Sequence, residues 1–442
     1  MHNMLFNLGY GLKRPMVLKY YKEFCLNNSK TNSELEAQQF AALKRMISFC
    51  YDNVPYYQKL FKSLGMKKND FNSIEDLENL PILSKSQIKN EVESFWPDNF
   101  GQAYMDFASG GSTGVPLKYR LAHECYERGS ALLFRGWNFA GYKIGDKMAF
   151  VAGASLVSAS NKASIKKKIQ DYVMNFYRYS SYGMDDNTLY SYLTDLNKRK
   201  PSYFYGYASS LYLLAKYIEE KKMRLKFKPK GIFSTSEVLY NQQRDVIARI
   251  FQSKVFNVYG LNDGGVSAFE CQNQNGMHID YERSILQTVD NNGRIVKDRV
   301  GRIIATSLYN YAMPFIRYDT GDLGLIDLKS ECGCGCKRPL LKSVYGRVTD
   351  YLKLNGKMIG SPVLTVLMGK IDLEYYQVKQ INVNEIDISY VKDVPLNEAD
   401  IYFISNSFYD HVGKIKINFK KVSPVDLSTV NKHKFIINEV CR

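Results

Sequence analysis

Between Glu34 and Phe49 the apolar positions Leu35, Phe40, Leu43, Met46 and Ile47, with Cys50 just beyond, fall at the spacing of one helix face. Asn53-Val54-Pro55 predicts the end of that helix, because a residue preceding proline disfavours the helical backbone. Tyr56, Tyr57, Leu60 and Phe61 then open another. Ser33 with Glu36, and Ser84 with Gln87, have the spacing of capping boxes. Together these signals describe a helical N-terminal layer over residues 30–90. A long amphipathic stretch follows at 122–140, then a turn at Gly145-Asp146 and a buried strand at 148–152. Residues 160–185, basic and rich in Ser and Tyr, read as a surface excursion.

From about residue 187 helical and strand periods alternate as a parallel sheet requires. A helix is expected at 189–196, a strand at 203–207, and a helix at 211–220 capped by Ser209 or Ser210. A strand at 231–233, a helix at 239–251 and a strand at 255–259 complete two β-α-β units. Such units imply a doubly wound sheet, with ligands beyond the carboxyl ends of its strands. Beyond 276 the elements shorten to β pieces with turns, Asn291-Asn292-Gly293 among them. A boundary near 348–352 divides residues 1–348 from a smaller α+β segment, 349–442, with strands expected at 386–391, 400–404 and 415–419. The fold class is α/β with that α+β appendage.

The 442 residues carry 45% hydrophobic and 24% charged side chains, an ordinary globular balance. No apolar run approaches the ~18 residues of a membrane span. No signal peptide is evident at the N-terminus, so the expected location is cytoplasmic. A net charge of +16 would attract nucleic acid, anionic lipid or phosphorylated substrates. It is spread along the chain, with short clusters at Lys166-Lys167-Lys168 and Lys221-Lys222 and no nucleic-acid module beside them. Nucleic acid is therefore not an expected partner; peripheral membrane contact stays open, as does oligomeric state.

The chemistry concentrates in short segments. Ser109-Gly110-Gly111-Ser112-Thr113-Gly114 sets two kinds of hydroxyl among three glycines, and successive backbone N–H groups freed of Cβ atoms make an anion cradle. It lacks the Walker spacing, and Val115 stands where a lysine would serve. Ser234-Thr235-Ser236-Glu237 and Tyr259-Gly260-Leu261-Asn262-Asp263 fall at expected strand ends. Arg317-Tyr318-Asp319-Thr320-Gly321-Asp322 and Gly346-Arg347 with Asp350 follow.

In this order the segments resemble the adenylate-forming superfamily of acyl-CoA synthetases. Asn53 to Tyr57, SIEDLENLP at 73–81 and Ala312 to Tyr318 resemble the phenylacetate-CoA ligase family, and within it the group associated with capsular polysaccharide biosynthesis. The resemblance spans roughly residues 40–350. It implies a large adenylate-forming domain and a mobile C-terminal domain with its hinge near Thr349 and Asp350. It implies that ATP is held by Ser109 to Gly114, that Tyr259 and Gly260 lie at adenine, and that Ser236 and Glu237 lie along the nucleotide. Asp322 is expected on the ribose, and Arg347 near ribose and phosphates. Asp263, usually glutamate in the superfamily, is linked to Mg²⁺. The lysine on the α-phosphate is Lys434 or Lys432. A small-molecule carboxylate would become acyl-AMP and pass to CoA, or to an amine on a sugar or amino acid. A nucleotide-binding scaffold without turnover is the reading from another class.

Eight cysteines in so long a chain do not suggest a disulfide framework. Cys334-Gly335-Cys336, similar to a C-x-C element of the family, with Cys271 and His278 upstream, offers three thiolates and one imidazole. That is the donor set of a structural, tetrahedral Zn²⁺ site, in which Cys332 can replace either neighbour.

Overall fold

The computed structural model describes residues 14–98, 100–108, 117–153, 165–181, 184–237, 239, 241–290, 292–328, 332–345, 351–360, 364, 367–368, 370–371, 373, 375–392, 394–422 and 436–438.

The N-terminal layer consists of α1 (Pro15–Leu26), α2 (Asn32–Asn53), α3 (Pro55–Leu64) and α4 (Lys85–Asn90). As expected, α2 stops before Pro55, which becomes the first residue of α3. The Ser84–Gln87 box forms. The other box forms between Thr31 and Glu34, two residues ahead of the expected Ser33–Glu36 pair. Thr31 is the last residue with extended backbone, so its hydroxyl meets the free N–H of Glu34. Glu36 instead accepts from the Asn32 side-chain amide at 2.8 Å. Leu43, Met46, Ile47, Tyr57 and Phe61 bury against Phe95, Phe315 and Tyr318, which ties this layer to the body.

The antiparallel strands β1 (Tyr104–Ala108) and β2 (Lys118–Ala122) flank the glycine loop, which itself lies outside the described residues. Next come α5 (His123–Asn138), β3 (Met148–Ala152), α6 (Ile165–Met174), β4 (Phe176–Ser180) and α7 (Asp186–Arg199). The chain continues through β5 (Tyr203–Tyr207), α8 (Ala208–Glu220), β6 (Gly231–Thr235), α9 (Asn241–Phe251) and β7 (Val255–Leu261). The expected surface excursion at 160–185 therefore contains a helix and an edge strand; Tyr177 and Tyr179 pack toward the sheet's α7 side. Strands β4-β3-β5-β6-β7 are parallel in that order. Trp137 of α5 packs on one face of this half-sheet, while α7, α8 and α9 cover the other. Both faces of β3, β5 and β6 are buried, which explains their continuous apolar runs.

An antiparallel half completes an eleven-stranded sheet. It is built from β8 (Val266–Glu270), β9 (Met277–Ile279), β10 (Ser284–Val289), β11 (Val300–Ser307), β12 (Tyr318–Asp327) and β13 (Leu340–Tyr345). Tyr318 to Asp322 of the RYDTGD segment begin β12 itself. The C-terminal region holds β14 (Tyr351–Leu354), β15 (Lys357–Gly360), β16 (Tyr375–Asn382), β17 (Glu385–Val391), α10 (Glu398–Val412), β18 (Lys416–Lys421) and β19 (Ile436–Asn438). Its buried residues, from Leu352 to Ile436, form a cluster of their own. The expected strand at 400–404 is the start of α10. Asn397 caps that helix through the Asp400 N–H, and Ile404, Phe408 and Val412 bury one face of it.

Candidate active site

Tyr259 and Asp322 meet across the sheet. The Tyr259 hydroxyl, near the end of β7, donates to Asp322 Oδ2 at 2.9 Å. Asp322 is buried on β12, and its backbone N–H donates to the Thr320 hydroxyl. A turn from Asn262 to Gly265 links β7 to β8, closed by the Gly265 N–H on the Asn262 carbonyl and a positive φ of 66° at Gly265. That turn buries Asp263, whose Oδ2 receives the Tyr318 hydroxyl at 2.8 Å. Three of the expected site residues are thus joined in pairs by two tyrosine hydroxyls.

Lys85 joins them from the N-terminal layer. Its Nζ stands 3.9 Å from Asp263 Oδ2 and over the Tyr318 ring. Sequence reasoning marked the neighbouring Ser84 and Gln87 only as a helix start. The missing signal is a backbone bridge: the Leu83 N–H donates to the Arg317 carbonyl and the Asp319 N–H to the Leu83 carbonyl, each at 2.9 Å. Arg317, at φ 53°, donates from its guanidinium to the carbonyls of Glu78, Leu80 and Gly293, which locks this strand start to the layer.

Beyond β6, Ser236 is exposed and holds φ at 66°, an unusual backbone for a residue with a Cβ, and such outliers cluster at ligand sites. Glu237 turns back on α8: its oxygens accept from the Ser209 backbone N–H at 2.8 Å and the Ser209 hydroxyl at 3.0 Å. The expected Ser cap of that helix is therefore replaced. The helix starts at Ala208 without a side-chain cap of its own, and Glu237 supplies the negative charge at its positive end. Burial pushes the Glu237 carboxyl up while the Ser209 bonds oppose it.

The thiols converge as well, with one exchange. Cys271 after β8, His278 on β9, and Cys332 and Cys334 before β13 bring their donor atoms within 4.8 Å of one another. Cys271 Sγ lies 3.5 Å from Cys332 Sγ, and Cys334 Sγ lies 3.3 Å from His278 Nε2. A tetrahedral zinc with ~2.3 Å bonds has edges of about 3.8 Å, so the donor set fits the ion with small adjustments. Cys332 stands in this group where the sequence first offered Cys336. Burial, with the neighbouring thiols, pushes the Cys334 thiol up to about 12, a state that a nearby cation would reverse. Burial and the charges of Arg135 and Arg338 push His278 down to about 4, which keeps the imidazole neutral, the form that ligates metal.

The glycine loop Ser109 to Gly114, the hinge residues Thr349 and Asp350, Arg347, and both Lys432 and Lys434 lie outside the described residues. Among the described residues, no helix is long and apolar enough to cross a membrane.

No family model matches the chain. It is 24% identical to Protein CapK of Staphylococcus aureus over 364 residues, 80% of this chain and 78% of that protein. It is 23% identical to the phenylacetate-coenzyme A ligase of Thermus thermophilus over 332 residues, 73% of this chain and 72% of the relative. Among solved structures, a 2-hydroxyisobutyryl-CoA ligase in complex with an acyl-AMP and CoA superposes with a TM-score of 0.63 at 17% identity, covering 93% and 91% of the two chains. The chain is a relative of CapK and the phenylacetate-CoA ligases. The fold is that of the adenylate-forming ligases.

Proposed function

We propose that the chain uses ATP to activate a carboxylic acid and passes the acyl group to CoA. The observation that carries this reading is the pair of contacts between the β7–β8 connection and β12, Tyr259 with Asp322 and Asp263 with Tyr318, with Lys85 3.9 Å from Asp263. Tyr259 offers a ring to a purine, and its hydroxyl orients the Asp322 carboxylate, which suits a pair of ribose hydroxyls. Lys85 brings a positive charge beside Asp263.

In the first step a substrate carboxylate oxygen attacks the α-phosphorus. The bond to the bridging oxygen breaks, and pyrophosphate leaves with the electron pair. In the second, the CoA thiolate attacks the acyl carbon and AMP leaves. The chain's contribution is position and charge, as in other phosphoryl-type transfers. Asp263, a buried hard oxygen donor held by Tyr318, fits Mg²⁺, which would neutralise phosphate charge when bound. The resemblance of the flanking segments to the capsule-associated group motivates a role in polysaccharide assembly as part of this proposal. Carboxylate-dependent exchange of pyrophosphate into ATP, followed by CoA-dependent release of AMP, tests the reading. Its absence with every class of acid would reject it.

We also propose that Cys271, His278, Cys332 and Cys334 hold one structural Zn²⁺, pinning the end of β8 to the start of β13. Elemental analysis should give about one zinc per chain. Cys332→Ser should lose the metal and Cys336→Ser should keep it; the reverse result would restore Cys336 to the ligand set.

A further inference from the structure

Arg283 is buried and stands immediately before β10. Its guanidinium reaches both ends of the turn that carries Asp263. Nη2 donates to Asn262 Oδ1 at 2.9 Å, on the β7 side, and Nη1 donates to the Val266 carbonyl at 3.3 Å, at the start of β8. Asp263, Gly264 and Gly265 lie between those two points, and two glycines in succession give the turn little stiffness of its own. Helix α5 closes in on the guanidinium. A side-chain carbon placed on Gly129 would stand 3.1 Å from Arg283 Cζ and 3.2 Å from Nη2, so the glycine leaves the guanidinium its place. Cys125, one turn earlier on that helix, bonds it as well. No carboxylate among the described residues pairs with Arg283; its bonds go to the turn, and what they fix is the turn's path. Burial pushes the Tyr119 phenol of β2 up; Asp263 raises it further and Arg283 lowers it, so both charges bear on one side chain of the hairpin that flanks the glycine loop.

We infer that Arg283 is the positioning residue for Asp263: by holding Asn262 and Val266 from one rigid fork, it sets the orientation in which that carboxylate meets a magnesium nucleotide. The inference rests on the acid-activating reading above and adds to it the residue that aims the metal-side carboxylate. Tyr318 bonds the carboxylate itself, and Arg283 holds the backbone on either side of it. Arginine suits this task because its planar donors span two acceptors at fixed angles, which the single ammonium of lysine does not. Such a residue touches neither metal nor substrate, yet losing one typically costs about 10- to 100-fold in metal affinity or activity.

The test compares calorimetric binding of MgATP with that of ATP in EDTA, on the whole chain, beside ATP–pyrophosphate exchange. Arg283→Met should weaken MgATP binding by about 10- to 100-fold and leave metal-free ATP binding nearly unchanged, with KM for the acid unchanged. Arg283→Lys keeps the charge without the fork and should show most of the same shift. Gly129→Ala crowds the guanidinium from α5 and should weaken MgATP binding selectively by a smaller factor. Its melting temperature should hold or rise, because alanine is the better helix residue. Where the Arg283 variants do not fold, Gly129→Ala decides alone. Folded variants in which both forms of ATP weaken together, or neither does, would overturn the inference; exchange by the parent chain would leave acid activation standing. Exchange absent with every acid would remove the acid-activating reading, and the ratio of the two binding constants would still decide Arg283. A parent chain that binds no ATP would remove both.

Discussion

Two sets of buried charges lie in the antiparallel half of the sheet, and they are built in opposite ways. Around Glu282 every oxygen is claimed. Arg338 donates from both guanidinium nitrogens to its two oxygens, Asn27 adds a third bond at 2.9 Å, and Arg135 pairs with the neighbouring Asp280. Burial alone would raise the Glu282 carboxyl, but the Arg338 charge and bonds, with Arg135, hold it down to about 2. Around Asp263 and Asp322 the described donors are tyrosine hydroxyls, with a lysine at 3.9 Å. The first set is a closed lock between α1, α5 and the segment before β13. In the second the described bonds come from neutral hydroxyls, which orient a carboxylate without adding a balancing charge. This difference in donor type is part of what the proposed ligand role of Asp263 and Asp322 rests on.

Breaking the lock should cost the most. Glu282→Ala leaves Arg338 buried without its partner carboxylate and should destabilise the fold by about 3–5 kcal/mol, read as a lowered melting temperature. The depressed carboxyl also sets a pH window. Its contribution is complete above the ordinary glutamate range and is lost as pH falls from about 4.5 toward about 2. The Glu282→Ala protein should accordingly lose less stability over that interval than the parent. A parallel fall would contradict the lock.

The open set should respond in turnover. Asp322→Ala should lower kcat/KM for ATP by roughly 10- to 100-fold, the worth of about 1.5–3 kcal/mol for hydrogen bonds to a charged group, with the melting temperature little changed. A large melting shift with intact exchange would move Asp322 into the structural class. The smallest effect is expected at Lys85, a single flexible cation. Lys85→Ala should reduce the pyrophosphate exchange rate by about tenfold at low salt, and by less as screening rises. No change would leave Lys85 as a surface partner of Asp263.

Much of this was readable in the chain. The end of α2 and the start of α3 follow from Pro55, and the order of elements from Tyr203 to Leu261 follows from period and punctuation. Tyr259, Asp263 and Asp322 were marked by motif. Misreadings came where two local patterns competed. Asp400 to Ile404 has strand-like residues, yet Asn397 and the longer spacing to Phe408 and Val412 make it helix. Residues 176–180 looked like polar surface, because this edge strand leaves most of its side chains partly exposed.

What the sequence determined alone is what depends on neighbours within a few residues: periods, caps, the break at Pro55, and the residue types that can bond a nucleotide or a metal. Tertiary structure decided pairings across long separations. It brought Cys332 together with Cys271, His278 and Cys334, brought Lys85 to Asp263, and turned Glu237 onto Ser209. Local propensity carries no information about which strand lies beside which, and a side chain's chemistry is set by the groups that strand order brings within bonding distance.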